Sequence, residues 1–209
     1  MSEEIAPVIK ESSDELNPSV VTNAPVVASS RERTFGDTIA LAVATCGVGF
    51  IPLAPGTWGS LLGVFLWASA LRAGAEVYRF ADSRSWTNLQ AESLCVTLAV
   101  LALAGLMYAG VWAATRVERL TERKDPGIVV IDEVVGQLIT FLFVPRGTGV
   151  WAIVAGFFLF RLFDIWKPYP IRRLEILESG LGVMADDVLA GIYAAAVMSL
   201  LVFISSHAG

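Results

Sequence analysis

RLFDIWKPYPIRRLEILESGLGVMADDVLAG, residues 161–191, is the stretch on which the interpretation of the whole chain depends. The apolar run 157–160 leads into it, and the almost uncharged run 188–204 follows it. Charged side chains between two apolar segments are costly unless they are paired, hydrated or bound to a metal. We therefore predict a functional site here, and the alternative is an ordinary charged loop between two membrane helices. The charged residues of most interest are Arg161, Asp164, Lys167, Asp186 and Asp187.

The composition indicates a membrane protein. The chain has 209 residues, of which 55% are hydrophobic and 17% charged, and its mean hydropathy is +0.64. An average soluble domain has about a quarter of its residues charged. The net charge is −5 and no basic face is evident, so nucleic acid is not an expected partner. Cys46 and Cys95 lack metal-binding or CxxC spacing and are interpreted as small buried thiols.

The chain divides into a tail and one membrane domain. Residues 1–33 contain prolines, scattered acids and no helical period, and they lack the basic and apolar regions of a signal peptide. We predict that this tail is disordered. Residues 34–209 are predicted to form a single membrane-embedded domain.

Apolar runs in the domain predict its crossings of the membrane. The clearest is Ser93–Thr115, 23 residues without a charge, where about 20 are needed to span a bilayer. The polar stretch 74–92 is predicted to be a connecting loop. The basic cluster at 116–124 predicts which end is cytoplasmic. The runs interpreted as crossings are 59–71, 93–115, 134–144, 150–160 and 188–204.

With five crossings, three charged stretches would meet at one face of the membrane. These stretches are 47–60, 116–133 and 161–187. Each of them contains polar residues that are unusual for an ordinary solvent-exposed loop, so their convergence predicts a shared site.

The first of these stretches is rich in glycine. GVGFIPLAPGTWGSLLG, residues 47–63, contains five glycines and two prolines and cannot be one continuous helix. Thr57 or Ser60 is expected to cap a new helix. Free backbone N–H groups at the turn from Gly56 to Ser60 would suit an anion. A hinge between two helices is the alternative.

The charged residues indicate chemistry on phosphate with a divalent cation. Carboxylate-only sites suit Mg²⁺, Ca²⁺ or Mn²⁺ rather than Zn²⁺. The only histidine is His207, so a histidine nucleophile or general base is excluded. Arg161 and Lys167 can hold phosphate oxygens. Asp132 could instead cap a helix, and Asp186 and Asp187 are expected at the start of the last helix. The candidate acids are Asp125, Asp132, Glu133, Asp164, Asp186 and Asp187.

Four sequence blocks together resemble the phosphatidylglycerophosphatase A family. They are PLAPGTWGSLLG, DPGIVVIDEVVGQ, FRLFDIWKPYPIRRLE and GLGVMADDVLAG, and the similarity covers roughly Thr34–Phe203. The resemblance implies an all-α, Mg²⁺-dependent membrane enzyme of bacterial glycerophospholipid synthesis. It would convert phosphatidylglycerophosphate to phosphatidylglycerol and phosphate at the cytoplasmic face of the inner membrane. The alternatives are a small transporter or channel with an acidic ion site, and a purely structural membrane protein.

The resemblance also assigns roles to individual residues. Together with the chemistry of the charged residues, it leads to the hypothesis that a metal-activated water attacks phosphorus, with an aspartyl-phosphate on Asp164 as the alternative. The sequence does not define the oligomeric state. The implied metal ligands are Asp132, Glu133, Asp186 and Asp187; the implied phosphate-binding residues are Gly56, Thr57, Ser60, Arg161 and Lys167; and the implied catalytic residues are Asp164, Asp187, Arg161 and Lys167.

Overall fold

The computed structural model describes residues 33–174 and 176–207. The predicted disordered tail lies outside these residues, apart from Arg33. The described part is helical and contains no strand, which confirms the all-α prediction. Its helices are α1 (Phe35–Thr45), α2 (Pro55–Ser83), α3 (Asn88–Thr121), α4 (Ile131–Thr140), α5 (Val150–Trp166), α6 (Ile171–Leu174) and α7 (Ser179–His207).

Three helices are long and apolar enough to cross a membrane. α2, α3 and α7 have 29, 34 and 29 residues. At 1.5 Å per residue, 29 residues extend about 44 Å, which exceeds the roughly 30 Å hydrocarbon core of a bilayer. The described part of the chain therefore has the helices of a membrane protein.

The prediction of a connecting loop at 74–92 is wrong. α2 continues to Ser83 and α3 begins at Asn88, so only a short turn joins them. The stretch contains no proline, and its polar residues are compatible with an exposed helix. Arg79 donates to Glu76 at 2.9 Å, three residues apart on the surface of α2. Polarity here reflects contact with water rather than an interrupted helix.

The helix break in the glycine-rich stretch is confirmed, but the predicted cap is not. α2 begins at Pro55, and its N-cap is Ala54, which makes no side-chain cap hydrogen bond. Proline suits this position because its fixed φ matches the helix and its missing N–H would have no helical partner. Thr57 is inside the first turn. Ser60 is fully buried, and its hydroxyl donates to the carbonyl of Gly56 at 2.9 Å.

The predicted crossings at 134–144 and 150–160 fall on shorter helices. α4 has 10 residues and α5 has 17, so neither is among the candidate spans. α4 alone extends about 15 Å, half of a bilayer core. The guanidinium of Arg146, which follows α4, lies against Gly74. Gly74 is about 27 Å along α2 from Gly56, so α4 and the turn after it together extend along more than half of α2.

α4 lies at the centre of the protein, because eight of its ten residues are buried. Its Gly136 lies against the backbone of α7 and the ring of Phe160 from α5. Gly191 of α7 in turn lies against the Gly136 carbonyl. Small residues allow helix backbones to approach closely in membrane proteins. This contact fixes the relative position of the two helices that contribute the acidic residues.

A capping box and an ion pair attach α1 to α3. Thr34 and Asp37 form reciprocal hydrogen bonds at the N-terminus of α1. Nε of Arg116, on α3, donates to Oδ1 of Asp37 at 2.6 Å, and its Nη2 donates to the Thr34 hydroxyl at 3.0 Å. These contacts join residues 79 and 82 positions apart in the sequence.

We expect the attachment of α1 to depend on pH through Asp37. The hydrogen bond from Arg116, followed by those from Thr34, lowers the pKa of Asp37 from 3.8 to about 2. Because the folded-state pKa is the lower one, the stabilisation is complete above the unfolded pKa and disappears as pH falls towards the folded value. Thermal unfolding in detergent should show Asp37→Asn less stable than wild type at neutral pH.

The stability difference between these proteins should shrink between about pH 4 and pH 2. Asp82→Asn removes an exposed acid from α2 and serves as the control, with no such pH-dependent difference expected. A constant gap between wild type and Asp37→Asn over this pH range would contradict the prediction.

Candidate active site

Two acids stand in the first turn of α4. Asp132 is 7% exposed, and Glu133 follows it in the chain. The N-cap is Val130, so the interpretation of Asp132 as a helix cap is wrong. Negative side chains in a first helical turn are favoured by the positive end of the helix dipole. That interaction offsets part of the cost of burying them.

Two further acids come from α7, although not from its start. α7 begins at Ser179, so Asp186 and Asp187 lie about two turns into the helix rather than at its first residue as predicted. Gly180 and Gly182, which lie between Ser179 and Asp186, are part of α7, and each packs closely against a neighbouring segment. The N–H of Gly180, for example, donates to the Thr115 hydroxyl of α3 at 3.0 Å. Asp187 is only 4% exposed.

The two helices bring three carboxylates together. One oxygen each from Asp132, Glu133 and Asp187 lies within 4.8 Å of the others. Among the described residues, the buried oxygens Asp132 Oδ1 and Glu133 Oε2 have no hydrogen-bond partner. Burial raises the pKa of both Asp132 and Glu133 above the ordinary value. Buried carboxylates in such a group fit a bound cation, which would supply the missing partner.

Two cationic side chains near the end of α5 face this group. Arg161 Nη1 donates to Asp164 Oδ2 at 2.6 Å, one helical turn away. Lys167 Nζ donates to Asp186 Oδ2 at 2.6 Å and so connects α5 to α7. α5 ends at Trp166, and its C-cap Lys167, which has a positive φ of 46°, is followed by Pro168, which cannot continue the helix. The end of α5 therefore presents two cations beside the carboxylates.

The three predicted charged stretches meet in one cavity, which confirms their convergence. Its volume is about 410 Å³. Eight predicted site residues line it, whereas Thr57 and Ser60 do not. The lining residues are Ala54, Pro55, Gly56, Asp125, Gly127, Val129, Asp132, Glu133, Arg161, Asp164, Ile165, Lys167, Asp186 and Asp187.

Gly56 lines the cavity at a position where a side chain would not fit. A Cβ at this position would collide with Glu133 Oε1 and come within 3.1 Å of Arg161 Nη1. The absence of a side chain allows the first turn of α2 to approach a carboxylate and a guanidinium at once. The glycine requirement in this turn is therefore steric.

The candidate acid Asp125 lines the cavity wall together with the other acids. Sequence reasoning overlooked Gln137, which does not line the cavity but is fully buried one turn after Glu133, and whose two amide atoms have no hydrogen-bond partner among the described residues. The available signal was spacing, because Gln137 follows Glu133 by four residues and shares its helix face.

Carboxylates that could hold a metal ion, next to an arginine and a lysine, are typical of enzymes that transfer or hydrolyse phosphate groups. The long apolar helices place this enzyme class in a membrane. A family model described as Phosphatidylglycerophosphatase A matches residues 41–202. The chain belongs to the phosphatidylglycerophosphatase A family, which confirms the resemblance seen in the sequence. It is a lipid phosphatase, and this favours an enzyme over a transporter or channel.

Three curated bacterial proteins are similar to the chain. A "Putative phosphatidylinositol-3-phosphatase" of Bacteroides thetaiotaomicron is 40% identical over 70% of this chain and 82% of its own length. The "Phosphatidylglycerophosphatase A" of Haemophilus influenzae is 38% identical over 73% of this chain and 81% of its own. That of Escherichia coli is 32% identical over 87% of this chain and 91% of its own. No solved structure matches the chain at a significant level.

Proposed function

We propose that the protein hydrolyses phosphatidylglycerophosphate to phosphatidylglycerol and inorganic phosphate in bacterial glycerophospholipid synthesis, with Mg²⁺ as cofactor. The observation that supports this most directly is the meeting of three carboxylates, two of them buried and that of Glu133 half-buried, with Arg161 and Lys167 in one cavity. Family membership supports the reaction class, and two of the three similar proteins have the name of this activity.

The carboxylate group provides the proposed metal site. Asp132, Glu133 and Asp187 would hold the ion, and Asp186 is the predicted fourth ligand because its Oδ1 has no partner among the described residues. All donors are oxygens, which suits Mg²⁺. A divalent cation there would stabilise negative charge on the phosphoryl group and lower the pKa of water.

The cationic side chains bind the phosphate in this proposal. Arg161 can present two N–H groups to phosphate oxygens, and Lys167 acts as a point charge. Asp164 and Asp186 hold these two side chains in position through their 2.6 Å contacts. Gly56 allows the first turn of α2 to lie directly against Arg161 and Glu133. The positions of both cations are therefore set before the substrate binds, which reduces the ordering cost of binding.

Asp164 has a second possible role. As a nucleophile it would form an aspartyl-phosphate, whereas in the favoured mechanism a water attacks phosphorus and Asp164 orients Arg161. Rapid-quench samples with phosphate-labelled substrate separate the two mechanisms. Label retained on the wild-type protein would identify the covalent route.

Lipid access and orientation follow from the surroundings of the cavity. Ile165 lines the cavity and is 73% exposed, so an apolar surface adjoins the phosphate site. The lipid tails would remain in the bilayer along this surface.

The cavity lies next to the basic end of α3, and basic residues favour the cytoplasmic side. We therefore propose that the site faces the cytoplasm from the inner membrane.

The decisive experiment is phosphate release from phosphatidylglycerophosphate by the purified protein in detergent. We expect release with Mg²⁺, its loss in excess EDTA, and recovery when Mg²⁺ is restored. Phosphatidylinositol 3-phosphate should be assayed in parallel, since one similar protein is named for that activity. Release that continues in EDTA would contradict the metal proposal, and hydrolysis of the inositol lipid alone would contradict the substrate.

A further inference from the structure

A second cavity lies on α3, and none of the carboxylates of the acidic cavity lines it. Its volume is about 300 Å³, and it shares no lining residue with the acidic cavity. Its lining residues follow one another at helical spacing along one face of α3. They are Tyr108, Val111, Trp112, Thr115, Arg116 and Arg119. We call this cavity the α3 groove.

The α3 groove crosses the boundary between apolar and charged sequence. The uncharged run of α3 ends at Thr115, and Arg116 is the first charged residue after it. The apolar end contains two exposed aromatic side chains, Tyr108 at 80% and Trp112 at 39%. From Tyr108 to Arg119 the helix rises about 16 Å, close to one leaflet of the roughly 30 Å core. Tyrosine and tryptophan typically occupy this level of a membrane.

The charged end of the groove has a cation available to a ligand. Arg119 is exposed and has no hydrogen bond or ion pair within the part of the chain that the structure describes. Arg116 is partly engaged, because Asp37 and Thr34 hold its guanidinium while 38% of its side chain remains exposed. The groove therefore offers positive charge at the membrane boundary and aromatic surface below it.

We propose that the α3 groove binds an anionic phospholipid of the surrounding bilayer at a site separate from the catalytic cavity. The phosphodiester headgroup contacts Arg119, with Arg116 beside it, and one acyl chain lies along Trp112 and Tyr108. Such a lipid has an apolar chain next to one negative charge, and the groove has aromatic residues next to two arginines, so the two match in order. A zwitterionic lipid of the same chain length carries a compensating positive charge, so it gains less from the arginines.

The test is lipid binding to the full-length protein, measured by native mass spectrometry. Dioleoyl phosphatidylserine is the anionic probe, because it is not a phosphomonoester, and dioleoyl phosphatidylcholine is the neutral one. We expect tighter binding of phosphatidylserine to wild type and about fivefold weaker binding to Arg119→Gln. Arg123→Gln is the matched control, since it removes the same charge from an exposed position outside the groove.

Several results would overturn the proposal. Equal binding of the two lipids by wild type would remove the anionic preference, and equal losses in Arg119→Gln and Arg123→Gln would indicate only diffuse attraction. Loss of binding in Lys167→Met, with Arg119→Gln unaffected, would place the lipid in the catalytic cavity. A protein dimer that is present in wild type and absent in Arg119→Gln would assign the groove to a second copy of the chain.

Discussion

Replacing Asp187 by asparagine should leave the protein folded but lower kcat by at least about a hundredfold. Substitutions of residues that only hydrogen-bond to a metal ligand already lower metal affinity or activity by about 10–100-fold. Asp187 is the one acid that α7 contributes to the three-carboxylate group. Asparagine preserves its size while removing the charge that a cation needs. The measurement is phosphate release at saturating substrate and Mg²⁺, with thermal unfolding to confirm the fold.

Asp82→Asn is the matched control for this experiment. It makes the same chemical change at an exposed position near the end of α2, and kcat should be unchanged. If high Mg²⁺ partly restores Asp187→Asn, the loss lies in metal affinity. A kcat equal to wild type would exclude Asp187 from the proposed metal site.

A valine at Gly191 should destabilise the protein by about 3 kcal/mol and abolish most activity, since overpacking a tight contact costs up to this amount. Even a Cβ at Gly191 would collide with the Gly136 carbonyl of α4. Gly191 lies one turn beyond Asp187, and Gly136 lies one turn beyond the α4 acids. Forcing the backbones apart should therefore also separate the carboxylates. Thermal unfolding and phosphate release test both effects.

Gly105→Val is the control that separates the collision at Gly191 from the general effect of replacing glycine by valine in a helix. Gly105 is in α3, and a Cβ there meets nothing within 4 Å. We expect this variant to retain both its unfolding temperature and its kcat to within a small margin. Similar losses in Gly191→Val and Gly105→Val would show that the contact between α4 and α7 does not position the site.

The polar stretch 74–92 shows where sequence patterns fail. Its charges and Gly74 are compatible with a loop, but they are equally compatible with a helix that leaves the membrane and continues in water. Local polarity reports solvent contact and does not by itself report helix ends. The start of the last helix was predicted too late for a related reason, because the close contact of Gly180 with α3 cannot be seen from neighbouring residues.

The sequence by itself determined that the chain is helical with apolar runs long enough for a membrane, and it predicted the charged residues that line the cavity. Both follow from local properties: an uncharged run as long as Ser93–Thr115 must avoid water, and buried charges need partners nearby. Only the tertiary structure decided which partners they have. Lys167 bonds to Asp186 across 19 residues, and Asp37 bonds to Arg116 across 79. Such pairs depend on how closely the helices pack, and that depends on contacts such as the one between Gly136 and Gly191, which no short sequence window contains.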